Sequence, residues 1–274
     1  MVNLVLGALE AGINAFETRH DHPAAVHAIG QGVSALDRKL VVVGLRVPLP
    51  EDGAVRNLSR DGVIRILQDA LRNTGLRWID YLLIEDPQPG EISAAFLVTI
   101  EAARQAKRLR YVGVTGDCAA IDDVIERGAV QVYAARYNLR AASLTRNRMR
   151  MAANAGMVVI GYDYHPHVIR EARTVRDDVD TAPRKSGGFL GLMTGRPRVM
   201  TVEKTGPYAF LDRVRGWTAD EICLAYALTE PALSCVRITP TRLDELAALA
   251  ATVDREMPNG VPAQIELARV SDLA

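Results

Sequence analysis

Two histidine pairs carry the residue types most able to do chemistry. His20-Asp-His22 and His165-Pro-His167 each follow an apolar run, close to Glu17 in one case and Asp163 in the other, and Glu85 ends a third such run. Imidazole nitrogens and carboxylate oxygens are the donors that hold zinc or manganese, and they also move protons near neutral pH. A pair of histidines on a loop does not define a coordination cage, so no metal is assigned. His27, on the helix that follows the first pair, reads as a surface or core-edge residue.

These residues need a scaffold, and the scaffold is written in alternating patterns. Residues 40–47, LVVVGLRV, form a short apolar and β-branched run of the kind required by a strand buried on both faces. Similar runs occupy residues 13–16, 79–84, 111–114, 130–135, 157–162 and 233–238. Between them lie helical spacings: Val63, Ile66, Leu67, Ala70 and Leu71 in one segment, Leu246, Leu249, Ala250 and Val253 in another. Thr218-Ala-Asp-Glu221 and Thr241-Arg-Leu-Asp244 each place a hydroxyl ahead of a carboxylate three residues on, the pattern of a capped helix start. Strand alternating with helix over this length means parallel strands with crossover helices. No GxGxxG follows the first strand, which favours a TIM-type parallel β/α barrel over a dinucleotide-binding open sheet.

One barrel domain over residues 1–274 is expected, with a long loop insertion at about 163–216, rich in Arg, Gly and Pro, as a candidate lid. The charges of residues 170–185 read as a solvated loop. Only seven strands are found, and the chain opens directly in a helix at Val2–Glu10, so the usual first strand is missing or replaced. The barrel is incomplete, or the tail at 262–274 fills the gap, or the true start lies upstream. Open sheet edges would leave room for a homo-oligomeric partner.

Composition narrows the partners. Lys+Arg and Asp+Glu number 33 each, so no global field favours nucleic acid or an anionic membrane, and a small-molecule substrate is expected. Cys118, Cys223 and Cys235 lack CxxC spacing and read as reduced thiols. No segment reaches the roughly 18 apolar residues of a membrane span, and the start lacks a signal-peptide pattern, so a cytoplasmic protein is expected.

Six motifs in order resemble the aldo-keto reductases. They are LGALEAGIN with FET at 6–18, LRNTGLRWIDYLLI at 71–84, RLRYVGVT at 108–115, RYN at 136–138, and WTADEICLAYAL at 217–228. The resemblance implies a β/α barrel with its pocket at the C-terminal strand ends. It also implies an aspartate, tyrosine, lysine and histidine around the reacting carbonyl, and those positions hold Glu17, His22, Arg46 and Glu85. The family's nicotinamide contacts are altered as well. Thr115-Gly116 stands for a Ser-Asn pair, Ala134 for a glutamine, and Thr239-Pro240 for a Gly-Ala loop entry. Tyr162 matches a ring-stacking aromatic, and Thr241 and Arg242 remain candidates for a cofactor phosphate. NADPH is disfavoured on this reading. Tyr137-Asn138 is kept, and reads as packing.

The replaced tetrad is still ionisable. Glu17, His22, Arg46 and Glu85 as catalytic residues, with Tyr162, Asp163 and His165 binding substrate, would suit a redox-neutral isomerase, dehydratase, cyclase or hydrolase. Here Glu17 or Glu85 is the base, His22 the acid or shuttle, and Arg46 the anion stabiliser of a small polar or anionic metabolite. The alternatives are an NADPH-dependent carbonyl oxidoreductase with an atypical tetrad, and a non-catalytic small-molecule-binding barrel held by structural ion pairs.

Overall fold

Strands buried on both faces need helices outside and side chains inside, and both are found. The computed structural model describes residues 1–50, 54–166 and 207–272. Its first half runs α1 Val2–Glu10, β1 Ala15–Arg19, α2 Pro23–Val33, β2 Val42–Val47, α3 Arg60–Thr74, β3 Ile79–Glu85, α4 Ala94–Gln105 and β4 Leu109–Thr115. There follow α5 Ala120–Glu126, β5 Val132–Arg136, α6 Ser143–Asn154, β6 Val158–Tyr162, α7 Ala219–Leu228, β7 Cys235–Val236, α8 Leu243–Ala251 and α9 Val261–Asp272. The strands form one parallel sheet in the order β1 to β7, curled as in a β/α barrel.

Alternation along each strand separates two cores. Val43, Leu45 and Val47 of β2 and Leu82 and Ile84 of β3 join the large outer cluster, with Val26 and Ile29 of α2, Val63 and Leu67 of α3, and Phe96 and Ile100 of α4. Each such side chain contributes about 1.5–3 kcal/mol relative to exposure, so this layer carries most of the fold's stability. Inside the curve lies a smaller cluster of Tyr81, Leu83, Val132, Ala134 and Ile160, with Tyr162 against it. Glu17, Gly44 and Tyr81 stand side by side on β1, β2 and β3. Because Gly44 has no side chain, the Tyr81 ring crosses β2 and its hydroxyl donates to Glu17 Oε2 at 3.3 Å.

Three expectations are corrected. The tail does not replace a strand: it forms α9, whose Val261 and Ile265 join the outer core and whose Glu266 accepts from the Tyr226 hydroxyl at 2.5 Å. Among the described residues β1 and β7 are the sheet's edges, and a cavity of about 690 Å³ lies between them, lined by Val5, Phe16, Ile29, Leu246, Glu17 and Arg237. Of the two helix caps, Thr218 and Glu221 form the full reciprocal pair. Thr241 does not cap α8, whose N-cap is Arg242 without a side-chain bond. β1 reaches Arg19, so Glu17 lies within the strand. Most of the 163–216 stretch, with residues 170–185 and His167, lies outside the described residues; Ala209–Arg213 forms a 3-10 turn with Leu211 buried. Among the described residues no helix is long and apolar enough to cross a membrane.

Candidate active site

Inward positions near the C-terminal ends of the strands bring together a chain of alternating charge. Arg46 Nη1 on β2 donates to Glu85 Oε1 at the end of β3, 2.8 Å away, and Arg46 Nε lies 3.6 Å from Glu17 Oε1 on β1. Arg237, the residue after β7, pairs with the same Glu17 oxygen from the other side. Its guanidinium carbon sits 4.6 Å from the centre of the Tyr162 ring, within cation–π range. Glu17 is thus held by two arginines and the Tyr81 hydroxyl, with a side chain only 5% exposed; Glu85 is 28% exposed and meets Arg46 through one oxygen. Burial pushes the Tyr81 phenol well up, so it stays a donor to Glu17. Arg46 Nε is buried and makes no hydrogen bond among the described residues, its 3.6 Å approach to Glu17 Oε1 being an ion-pair contact.

A second group adjoins the first through Tyr162. Arg136, ending β5, lies 3.6 Å from Asp163 Oδ2 and 3.9 Å from Asp117 Oδ2, and stands beside Tyr162 in the strand register. Burial pushes Tyr162 up. Asp163 has a positive φ of 55° and its carbonyl accepts from Asn138 Nδ2 at 3.0 Å. Tyr137 stacks parallel on Tyr226, centroids 6.4 Å apart. The Tyr-Asn pair therefore packs and positions, as expected, whereas Arg136 beside it faces the mouth.

Glu17, Arg46, Glu85, Tyr162 and Asp163 accordingly lie along one connected network. Two histidines do not. His22 is the exposed N-cap of α2, its Nδ1 accepting from the Ala25 N–H at 3.1 Å. His165 is buried, its Nδ1 2.6 Å from Asp220 Oδ1 at the start of α7, and its Nε2 has no partner among the described residues. His20 faces a separate cleft of about 640 Å³ with Arg19, Asp21 and Arg65, and burial holds its imidazole below the usual value. Among the described residues no three His, Cys, Asp or Glu side chains gather into a group able to hold a metal ion. Sequence reading missed Tyr81, Asp117, Arg136 and Arg237. For Tyr81 the signal was parity: it stands two residues from another inward position, Leu83.

The model of the Aldo/keto reductase family matches residues 1–268. The chain belongs to the aldo-keto reductase family. Among solved structures it resembles the holo form of aldo-keto reductase AKR11C1 from Bacillus halodurans, at TM-score 0.71 and 14% identity, covering 97% of this chain and 86% of that one. The thermostable aldo-keto reductase Tm1743 in complex with the inhibitor epalrestat gives TM-score 0.68 and 15% identity, with 98% and 86% covered. MGS-M4, an aldo-keto reductase enzyme from a Medee basin deep-sea metagenome library, gives 0.69 and 11%, with 97% and 85% covered. At these identities the likeness establishes the barrel fold, and the relatives are oxidoreductases by name.

Family membership implies a nicotinamide cofactor, and the residues at its expected positions are engaged with one another. Arg242 is forked on Asp244, with Nε 2.9 Å from Oδ1, while Thr241 gives both its N–H and its hydroxyl to Glu245 Oε2, at 2.9 and 3.3 Å. Gly116 has φ +116°, and a Cβ there would lie 2.5 Å from Asp86 Cγ; Asp86 accepts from the Asp117 and Cys118 N–H groups instead. No side-chain amide can project from that position. Arg237 covers the Tyr162 ring.

Proposed function

We propose that this aldo-keto reductase family member is an enzyme of redox-neutral acid–base chemistry on a small polar metabolite, with Glu85 as the base and Arg46 as the anion stabiliser. The observation that carries the reading is the Glu85–Arg46–Glu17 chain, in which Arg46 bridges the two carboxylates and Glu85, 28% exposed, is held by Arg46 through one oxygen among the described residues. A carbon acid bound above Arg46 would lose its proton to Glu85, the resulting enolate oxygen would rest on the guanidinium, and return of the proton at a second carbon would complete an isomerisation. Glu17, gripped on both oxygens, is a positioning residue for Arg46 and Arg237. His22 has no part in this version, because its imidazole caps α2.

The comparisons weigh toward a second reading. Membership of the family, and solved relatives that are reductases by name, support NADPH-dependent carbonyl reduction with an atypical tetrad. One experiment separates the two. A panel of 2-oxo and 3-oxo acids and their hydroxy counterparts is incubated with the protein in D₂O, with and without NADPH, and followed by proton NMR. Deuterium entering a carbon position without NADPH, and falling by about 10²–10⁴-fold in Glu85→Gln, is the expected result. Conversion that occurs only with NADPH would sink the acid–base reading in favour of the second.

A further inference from the structure

We infer that Arg237 is a resident planar cation standing where the family's nicotinamide ring would stack, and that it is the principal obstacle to a dinucleotide in this barrel. The inference rests on the proposal above and deepens it, by naming what displaces the cofactor.

The two ends of the expected cofactor position are blocked with very different strength. At the phosphate end the obstacles are side chains of the α8 start: Arg242 and Asp244 are 73% and 66% exposed. Exposed pairs of this kind contribute little and would yield to a phosphate. The ring end is different. Arg237 is 19% exposed and Glu17 5%, and the guanidinium is fixed at once by Glu17 and by the face of Tyr162. Swinging Arg237 aside would leave Glu17 Oε1 with only the 3.6 Å approach of Arg46 Nε, and Oε2 with the Tyr81 hydroxyl. A buried carboxylate stripped of its closest cation opposes that motion strongly. A guanidinium and a nicotinamide are both flat groups that stack on a phenol face, so the first competes with the second for one surface. Tyr162 belongs to β6, laddered to β5 with Arg136 beside it, so its place in the sheet does not depend on Arg237.

The test is a titration of NADPH fluorescence against the full chain, Arg237→Ala, Arg237→Lys and the double variant D244A/E245A, each checked for folding by circular dichroism. Arg237→Lys keeps a positive charge for Glu17 while removing the flat fork, and serves if the alanine variant does not fold. The expected result is no saturable change for the full chain or for D244A/E245A, and a saturable rise for Arg237→Ala, reversed by N-methylnicotinamide. Saturation by the unaltered chain overturns the inference. So does a folded Arg237 variant as silent as the unaltered chain. So does saturation by D244A/E245A alone, which would move the block to the phosphate end. Each of these outcomes leaves the acid–base reading to be judged separately by deuterium entry.

Discussion

Replacing Gly44 by alanine tests the central packing claim, that an empty position on β2 lets Tyr81 reach Glu17. A Cβ at Gly44 would lie 2.6 Å from the Tyr81 hydroxyl oxygen and nearer still to two carbons of its ring, so the ring must leave. Overpacking of this kind costs about 1–3 kcal/mol. Loss of the hydrogen bond to ionised Glu17 adds about 1.5–3 kcal/mol, part of which the displaced ring recovers elsewhere. Gly44→Ala is therefore expected to destabilise by about 2–4 kcal/mol, read as a lower urea midpoint at unchanged slope. In a Tyr81→Ala background the three atoms nearest the added Cβ are gone. There it is expected to be within about 0.5 kcal/mol of neutral, or mildly stabilising, because alanine loses less backbone entropy than glycine in a strand. The double-mutant cycle thus predicts a coupling of about 2–4 kcal/mol between neighbouring positions. Equal costs in the two backgrounds would refute the reasoning, showing that Gly44 is needed for some reason other than the ring above it.

Two further outcomes follow from the geometry. His22→Ala is expected to lower stability by about 0.5–2 kcal/mol through the lost α2 cap while leaving ligand binding and turnover unchanged; an activity loss larger than the stability loss would return His22 to the site. Asp122 is held below its usual carboxylate value by the forked hydrogen bond from Arg148, so its contribution is full above about pH 4 and disappears as pH falls through the lowered folded value. The gap in thermal midpoint between the unaltered chain and Asp122→Asn should accordingly close on acidification. A gap that widened toward low pH would contradict the assigned sign.

How much of this could be read from residues alone differs between scaffold and site. All seven apolar runs became strands because burial on both faces leaves a continuous signal, and the Thr218 cap was legible because its partner lies three residues away. β1 was misplaced by a few residues for a physical reason: at the mouth its inward positions, Glu17 and Arg19, are charged, so the apolar run stops before the strand does. His22 was read as an acid although Pro23 behind it marks a helix start, where a polar side chain caps. His165 gave no such clue. Its partner Asp220 is remote in sequence, and nothing local distinguishes an imidazole that faces a pocket from one that faces a helix end. Arg237 lies just past a two-residue strand, too short for a periodicity to register.

The gap between β1 and β7 gives that arginine a mechanical meaning. Six strand pairs are sealed by backbone ladders, whereas the circuit from β7 back to β1 is crossed by a side-chain clasp, Glu17 to Arg237. A ladder is indifferent to ionic strength; a clasp between opposite charges is not. Among the described residues the Glu17–Arg237 pair is thus a charged link between the two edge strands, set within the candidate site. A ligand that competes for Glu17 or Arg237 would therefore act on that link as well as on the site.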